Sequence, residues 1–502
     1  MKNIPDIKIG LVVGSTDWLP SEIAEQKRKE LFDCYSTQYG SENIYECPIC
    51  ITDNEISVKR VSKDINKAEC DAICLYWANY GPESAGTLFA KEFDGPVMML
   101  AAAEEGQGPY IKNRLDAMSG FVNACYALGL READVYIPSK PVGTISECAK
   151  MINDFKSIAR TLIAVKNLKI ISFGPRPSSY LASMVPESPL YNLGVELSSY
   201  SELELFDSYN KHAGDQRIDS VVESMKDETV NSNIFDNMLS KYAQYEITIK
   251  DWIRNYKGNR KYIALTSTCW PAFPVNFGFV PCYVNSRLAL EGVPVACEVD
   301  VYGALTEYIG QCISNDTVAI LNINNNIPIE VYDKDIKDRM FNEKKYSLED
   351  LFLGYHCGVT SSNKIDNAKL DYHFVNKQLI GESQSSCTIQ GDIKAGDITI
   401  FRIQGGVDGK LSAYVAQGQI LPVSMNTYGG RGIIAIPEFG RFFRNVVLEK
   451  HFPNHTTVVF GHYGESIIGV LKQLGIEKIY FNQPDNMPYE NENIFSTLNN
   501  WY

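Results

Sequence analysis

A chain of 502 residues exceeds the roughly 250–300 residues that one hydrophobic core sustains, so several domains are expected. A net charge of −14 excludes a ligand held mainly by its phosphate backbone, because such binding relies on a basic surface that displaces counterions. With 45% hydrophobic and 22% charged residues the composition is ordinary for a globular protein, and no stretch supplies the roughly 18 uninterrupted apolar residues of a membrane-spanning helix. Met1 to Val13 lacks the apolar core and cleavage site of a signal peptide. The expected setting is therefore cytoplasmic, with a small neutral or metal-chelated substrate and neither nucleic acid nor membrane as partner. Thirteen cysteines, an odd number set mostly in apolar runs (Cys74, Cys125, Cys297, Cys312), suit reduced, buried thiols. Cys47 and Cys50 make a lone CxxC with no second ligand pair, which reads as structural.

In chain order, Ile7–Val13 predicts a strand, Ser21–Tyr39 a charged amphipathic helix, and Asp71–Tyr76 and Val97–Leu100 buried strands, with helical patterns between them. Such alternation predicts a parallel sheet covered by helices over residues 1–165. A second α/β domain, 166–344, opens on Lys169-Ile-Ile-Ser-Phe-Gly174 and continues through a helical stretch near 232–257 and a strand at Tyr262–Thr266. It then reaches Val295-Ala-Cys-Glu-Val-Asp-Val-Tyr-Gly-Ala-Leu305, where two acids stand as an apolar stretch gives way to a helical one. From 345 to 502 the texture changes to short strands and turns: Gly396–Ile403, Leu411–Ile420 and Arg431–Pro437, then a helix near 465–474 and a strand at Lys478–Phe481. This predicts an antiparallel barrel or sandwich. Gly429-Gly-Arg-Gly432 reads as a turn and Asn324–Asn326 as another.

Carboxyl ends of strands in open α/β sheets leave a crevice for ligands, so Glu298 and Asp300 are placed at the mouth of a site. Glu298 also has a plain reading as a helix-start acid, and Asp300 one as a helix cap. Six histidines can be weighed singly. His212 and His373 lie in polar stretches that predict exposure. His356 ends a strand-like run between glycines, and His455 enters a buried strand beside His451 and His462. Trp270 reads equally as core or as a platform for a sugar face. Among the familiar motifs, a GxSxG elbow, a P-loop and a GxGxxG are all absent from the sequence. An acid-plus-histidine set instead suits a divalent cation held by carboxylate oxygen and imidazole nitrogen.

The segments Cys269-Trp-Pro-Ala-Phe273, Pro281-Cys282, Ser286-Arg-Leu288, Gly292–Asp300, Gly303-Ala-Leu305, Asn324–Asn326, His356-Cys357, Gly396–Arg402 and Phe452-Pro-Asn-His455 resemble, in order and approximate spacing, the L-fucose isomerase family, relatives of the L-arabinose isomerases. The resemblance runs from about residue 165 to the end, and the first domain matches in pattern only. It implies an aldose–ketose isomerase of two Rossmann-like α/β domains and a C-terminal antiparallel β-barrel, usually a homo-oligomer (hexamer or trimer). It also implies Mn²⁺, or another divalent ion such as Co²⁺ or Mg²⁺, held by a glutamate, an aspartate and a histidine. Those roles fall on Glu298, position 322 and His455, with Glu298 and Asn322 as the catalytic pair and Trp270, His356 and Asp300 toward the sugar. This chain departs at Asn322, where the family has aspartate. An amide oxygen still ligates a cation but accepts no proton near neutral pH. Glu298 would then shuttle the proton alone or Asp300 would substitute; otherwise the chain keeps sugar binding without isomerisation. A sugar-binding protein, and an epimerase or C–C lyase using the same ene-diolate, are the rival readings. Lys112, Arg114 and Arg176 are candidates for an anionic sugar substituent, against plain surface solvation.

Overall fold

The computed structural model describes residues 3–104, 115–229, 235–374, 377–378, 386–490 and 492–493. Lys112 and Arg114 lie outside the described residues. The protein is mixed α/β and divides into two compact units, one of Pro5–Ile163 with Gly469–Gly475, the other of Met1–Ile4, Ala164–Ile468 and Ile476–Tyr502.

The first unit holds a parallel sheet of β1 (Ile9–Gly14), β2 (Ile44–Glu46), β3 (Ala72–Trp77), β4 (Val97–Ala102) and β5 (Val142–Gly143) in the order β2-β1-β3-β4-β5. Every residue of β1, β3 and β4 is buried, which is why these strands are continuous apolar runs rather than alternating ones. The helix Ser21–Tyr39 forms over the residues its periodicity predicts. Cys47 and Cys50 are free, as are the other described cysteines.

The second unit contains two sheets. One is parallel, β6 (Leu168–Phe173), β7 (Glu196–Tyr200), β8 (Tyr262–Ser267) and β9 (Val295–Ala296), ordered β7-β6-β8-β9. The other has nine strands: β10 (Ala319–Asn325), β11 (Leu351–His356), β12 (Ile365–Tyr372), β13 (Cys387–Ile393), β14 (Gly396–Gly405), β15 (Leu411–Leu421), β16 (Gly430–Ala435), β17 (His455–Phe460) and β18 (Lys478–Phe481). Its order is β12-β13-β16-β11-β10-β17-β14-β15-β18, and β15 also pairs with β16. The ladder thus returns on itself through β16, β11, β10, β17, β14 and β15, each neighbour antiparallel.

Three expectations need correction. The boundary expected at 344/345 cuts through this unit, since β10 at 319–325 is a central strand of the larger sheet, flanked by β11 and β17. The expected turn at Gly429–Gly432 is instead the entry to β16. The asparagine run stays in β10 as far as Asn325, with a register shift between Ile323 and Asn325.

The helix Val301–Ser314 joins the two sheets, touching β6, β8 and β9 on one side and β10, β14 and β17 on the other. It is buried from Val301 to Ile313, which accounts for a sequence that is apolar almost all round. Gly310 lets the larger sheet approach, for a side chain there would press on Val459, Phe401 and Thr457. Asn3 fastens the chain's start to the same unit: its amide bonds the N–H and C=O of Ile263 and the C=O of Gly292, and Tyr308 donates to its carbonyl.

The closure of β15 on β16 is tight at Gly418, where an added Cβ would collide with the Ala435 carbonyl oxygen. Gly418→Ala is expected to destabilise the protein by about 1–3 kcal/mol, as overpacking does, read as a lower thermal midpoint with Gly354 and Gly310 left intact.

Candidate functional site

The turn between β9 and the helix Val301–Ser314 carries Cys297, Glu298, Val299 and Asp300. Glu298 and Val299 hold φ of 55° and 59°, a left-handed region that costs a non-glycine residue about 1–2 kcal/mol. Ser183 Oγ donates to the Glu298 carbonyl at 2.7 Å, the Val299 N–H donates to the Ser267 carbonyl at 3.3 Å, and just beyond them the Gly303 N–H donates to Asp300 Oδ1 at 2.8 Å. Of the two readings of Asp300, the helix cap is what the structure shows. Its carboxylate is buried and also takes Arg402 Nη1 and Nη2 at 2.6 and 2.7 Å and His455 Nδ1 at 2.9 Å. Those contacts leave it facing protein rather than open space.

His455 opens β17 and is buried. With Nδ1 turned to Asp300, the other nitrogen, Nε2, stands 3.3 Å from Glu298 Oε2 and 3.3 Å from the Tyr180 hydroxyl. Burial lowers the basicity of His455, but Asp300 and Glu298 outweigh it and lift the pKa to about 9. Burial likewise works against ionised Glu298 and is outweighed by His455, which holds the carboxyl below its usual range. Asp300 is held well below that range because Arg402 and His455 overcome its burial. Asn322 sits directly opposite His455 across the β10–β17 ladder, so the two side chains leave the same face. Its Oδ1 is buried without a described donor, and Glu298 Oε2 faces His455 Nε2. An amide oxygen and a carboxylate oxygen beside a fixed imidazole nitrogen are the donor set a hard-to-borderline divalent cation takes.

His356 ends β11, buried, its ring centroid 5.8 Å from that of His455. Burial drops its pKa to about 4, and its Nδ1 has no described partner. Ligand atoms of Cys297, Glu298 and His356 lie within 4.8 Å of one another. Trp270, 42% exposed, is not core. His373 is buried rather than exposed, and His212 is partly buried beside Asp251. Arg176 is partly exposed and lines a cavity, while its Nη1 donates to the carbonyls of Pro177, Ser178 and Tyr180. It shapes the loop that presents Tyr180, whose hydroxyl also donates to Asn454 Oδ1 at 2.9 Å. A cavity of about 540 Å³ opens beside this loop, at the ends of β6 and β7, and reaches Val299 and Val301.

Sequence reasoning missed Tyr180 and Arg402. Arg402 had a signal, a lone arginine in the apolar run Ile398–Ile403, since a buried guanidinium demands a carboxylate. Tyr180 had none.

Comparisons with known proteins agree with this architecture. The model of the fucose/sulfoquinovose isomerase N-terminal domain matches residues 10–166, and that of the L-fucose isomerase C-terminal domain matches residues 354–482. The first domain, which carried no motif of its own, is therefore matched as well. Sulfoquinovose isomerases of Priestia aryabhattai and Priestia megaterium are each 24% identical over 326 residues, 64% of this chain and 67% of theirs. One from a Clostridium species is 22% identical over 374 residues, 72% of this chain and 76% of its own. The fold and these matches define a sugar isomerase scaffold. The chain belongs to the fucose/sulfoquinovose isomerase family.

Glu307, on the buried helix, offers a test of the site's electrostatics. Burial, with Asp300 adding to it, raises its pKa to about 8 from 4.5. An acid with a raised folded pKa contributes stability in full below its unfolded pKa and loses it as pH rises toward 8. Glu307→Gln should therefore have a thermal midpoint near wild type at pH 4.5 and a progressively higher one than wild type between pH 5 and 9.

Proposed function

We propose that this protein is an aldose–ketose isomerase that works through an ene-diol intermediate, with Glu298, Asn322 and His455 holding a divalent cation, Mn²⁺ or alternatively Co²⁺ or Mg²⁺. The observation that carries the reading is the meeting of Glu298 Oε2 and His455 Nε2 at 3.3 Å beside the unpartnered Asn322 oxygen. What a bound cation supplies at such a place is Lewis acidity toward a sugar carbonyl and its neighbouring hydroxyl. Glu298 is the group that moves the proton between C1 and C2, because the Asn322 amide is not basic near neutral pH and Asp300 is engaged by Arg402, Gly303 and His455. Asp300 accordingly orients His455 instead of acting on the sugar. Exposed Trp270 offers an apolar face to a sugar ring, and His356 a hydrogen bond to a hydroxyl. The same reading takes the closed ring of strands as the family's barrel and carries with it a cytoplasmic homo-oligomer, hexamer or trimer. Because the relatives are named sulfoquinovose isomerases, a sulfonated aldose is the first substrate to offer.

The Asn322 amide favours one second reading, a sugar-binding protein that has lost isomerisation. The purified full chain with Mn²⁺ should convert sulfoquinovose, or another member of a panel of neutral and deoxy aldoses, to the ketose. Glu298→Gln should lower turnover by about 10²–10⁴-fold or more, while His455→Ala should lose stoichiometric Mn²⁺. Sugar binding with no turnover across the panel favours the second reading. Asn322→Asp separates the two histories of that residue: activity that rises marks a lesion, and activity that falls marks an adaptation.

A further inference from the structure

Beside the proposed isomerase ligands lies a second donor set that shares only Glu298 with them. Cys297 and His356 are 1% and 3% exposed, they come from the end of β9 and the end of β11, and with Glu298 their ligand atoms fall within 4.8 Å of one another. His356 Nδ1 has no described hydrogen-bond partner, and Glu298 Oε2 meets His455 Nε2 at 3.3 Å, so both atoms can turn to a ligand that buried polar groups favour. The neighbouring thiols are otherwise engaged. Cys269 and Cys282 hydrogen-bond each other, and the Tyr355 hydroxyl donates to Cys357 Sγ at 3.3 Å.

We propose that Cys297, Glu298 and His356 form a second cation site, specific for a thiophilic divalent ion of the Zn²⁺ class. One sulfur, one oxygen and one nitrogen give the three protein ligands of an open tetrahedral site, whose bonds of about 2.0–2.3 Å require the side chains to draw in by roughly an ångström. The sulfur sets the selectivity: thiolate prefers soft ions, whereas the oxygen-rich Glu298, Asn322 and His455 set suits Mn²⁺ or Mg²⁺. Binding converts the Cys297 thiol to thiolate and releases its proton to solvent, with no change of oxidation state. Glu298 is common to both sets, so a thiophilic ion draws the carboxylate away from Asn322 and His455 and inhibits the enzyme. That consequence rests on the isomerase reading, but the site itself does not.

Cd²⁺ is the probe. Titrated into the chelator-treated full chain, it should give a thiolate-to-cadmium absorption band in the ultraviolet at one ion per chain, with one proton released. Cys297→Ser should abolish the band and weaken Cd²⁺ binding by more than the roughly 10–100-fold that loss of an outer-sphere partner brings, while Mn²⁺ binding persists. A band that survives in Cys297→Ser places the ion on another of the free cysteines and overturns the proposal. Should that variant not fold, ¹¹³Cd NMR of the wild-type protein decides: a shift for one sulfur among nitrogen and oxygen ligands supports the site, and a shift for none or for two or more overturns it. A Cys297-dependent band in a protein that isomerises no sugar upholds the site and removes only the inhibition.

Discussion

One buried carboxylate organises the chemistry of this molecule. Asp300 caps the helix Val301–Ser314, takes both terminal nitrogens of Arg402 from β14, and turns the His455 ring from β17. The parallel sheet, the buried helix and the larger sheet thus meet at a single charged group. Such an arrangement is stable only when complete: stranding one member of a buried ion pair typically costs about 3–5 kcal/mol. The interaction that fixes the imidazole is therefore also one that fixes the packing of the helix against the larger sheet, so the aim of Nε2 is as rigid as the core.

Around that group the electrostatics are graded. Arg402 and His455 keep Asp300 ionised against its burial, and Asp300 with Glu298 keeps His455 basic. For His356, burial outweighs the support of Glu298 and leaves it a weak base, while Glu307 is left weakly acidic. Charge is concentrated where partners are opposed and suppressed a few ångströms away. The result is a compact charged centre in surroundings that would strengthen its hold on a polar ligand.

Much of this was legible in the sequence, and the failures have definite causes. The strands and the helix Ser21–Tyr39 follow from apolar periodicity, and Glu298, His455 and Asn322 from the order of motifs. The stretch Ala319–Asn325 fell within the expected second α/β domain, with its asparagines read as a turn, because local composition carries no information about partners; its neighbours are β11 and β17. His373 lies in a polar stretch yet is buried, because the tertiary fold covers what local composition would expose. Arg176 was weighed as an anion contact, and its use on three backbone carbonyls depends on a loop conformation that no pattern predicts. Tyr180 is delivered by that same loop, and was invisible for the same reason.

The backbone at Glu298 and Val299 has a further consequence for how this chain can change. A β-branched residue in left-handed geometry is stored strain, and glycine at Val299 would relieve it while freeing the peptide that aims Glu298. A search for thermal stability and a search for turnover would then favour opposite residues at one position, a trade-off between robustness and activity written into two adjacent torsion angles.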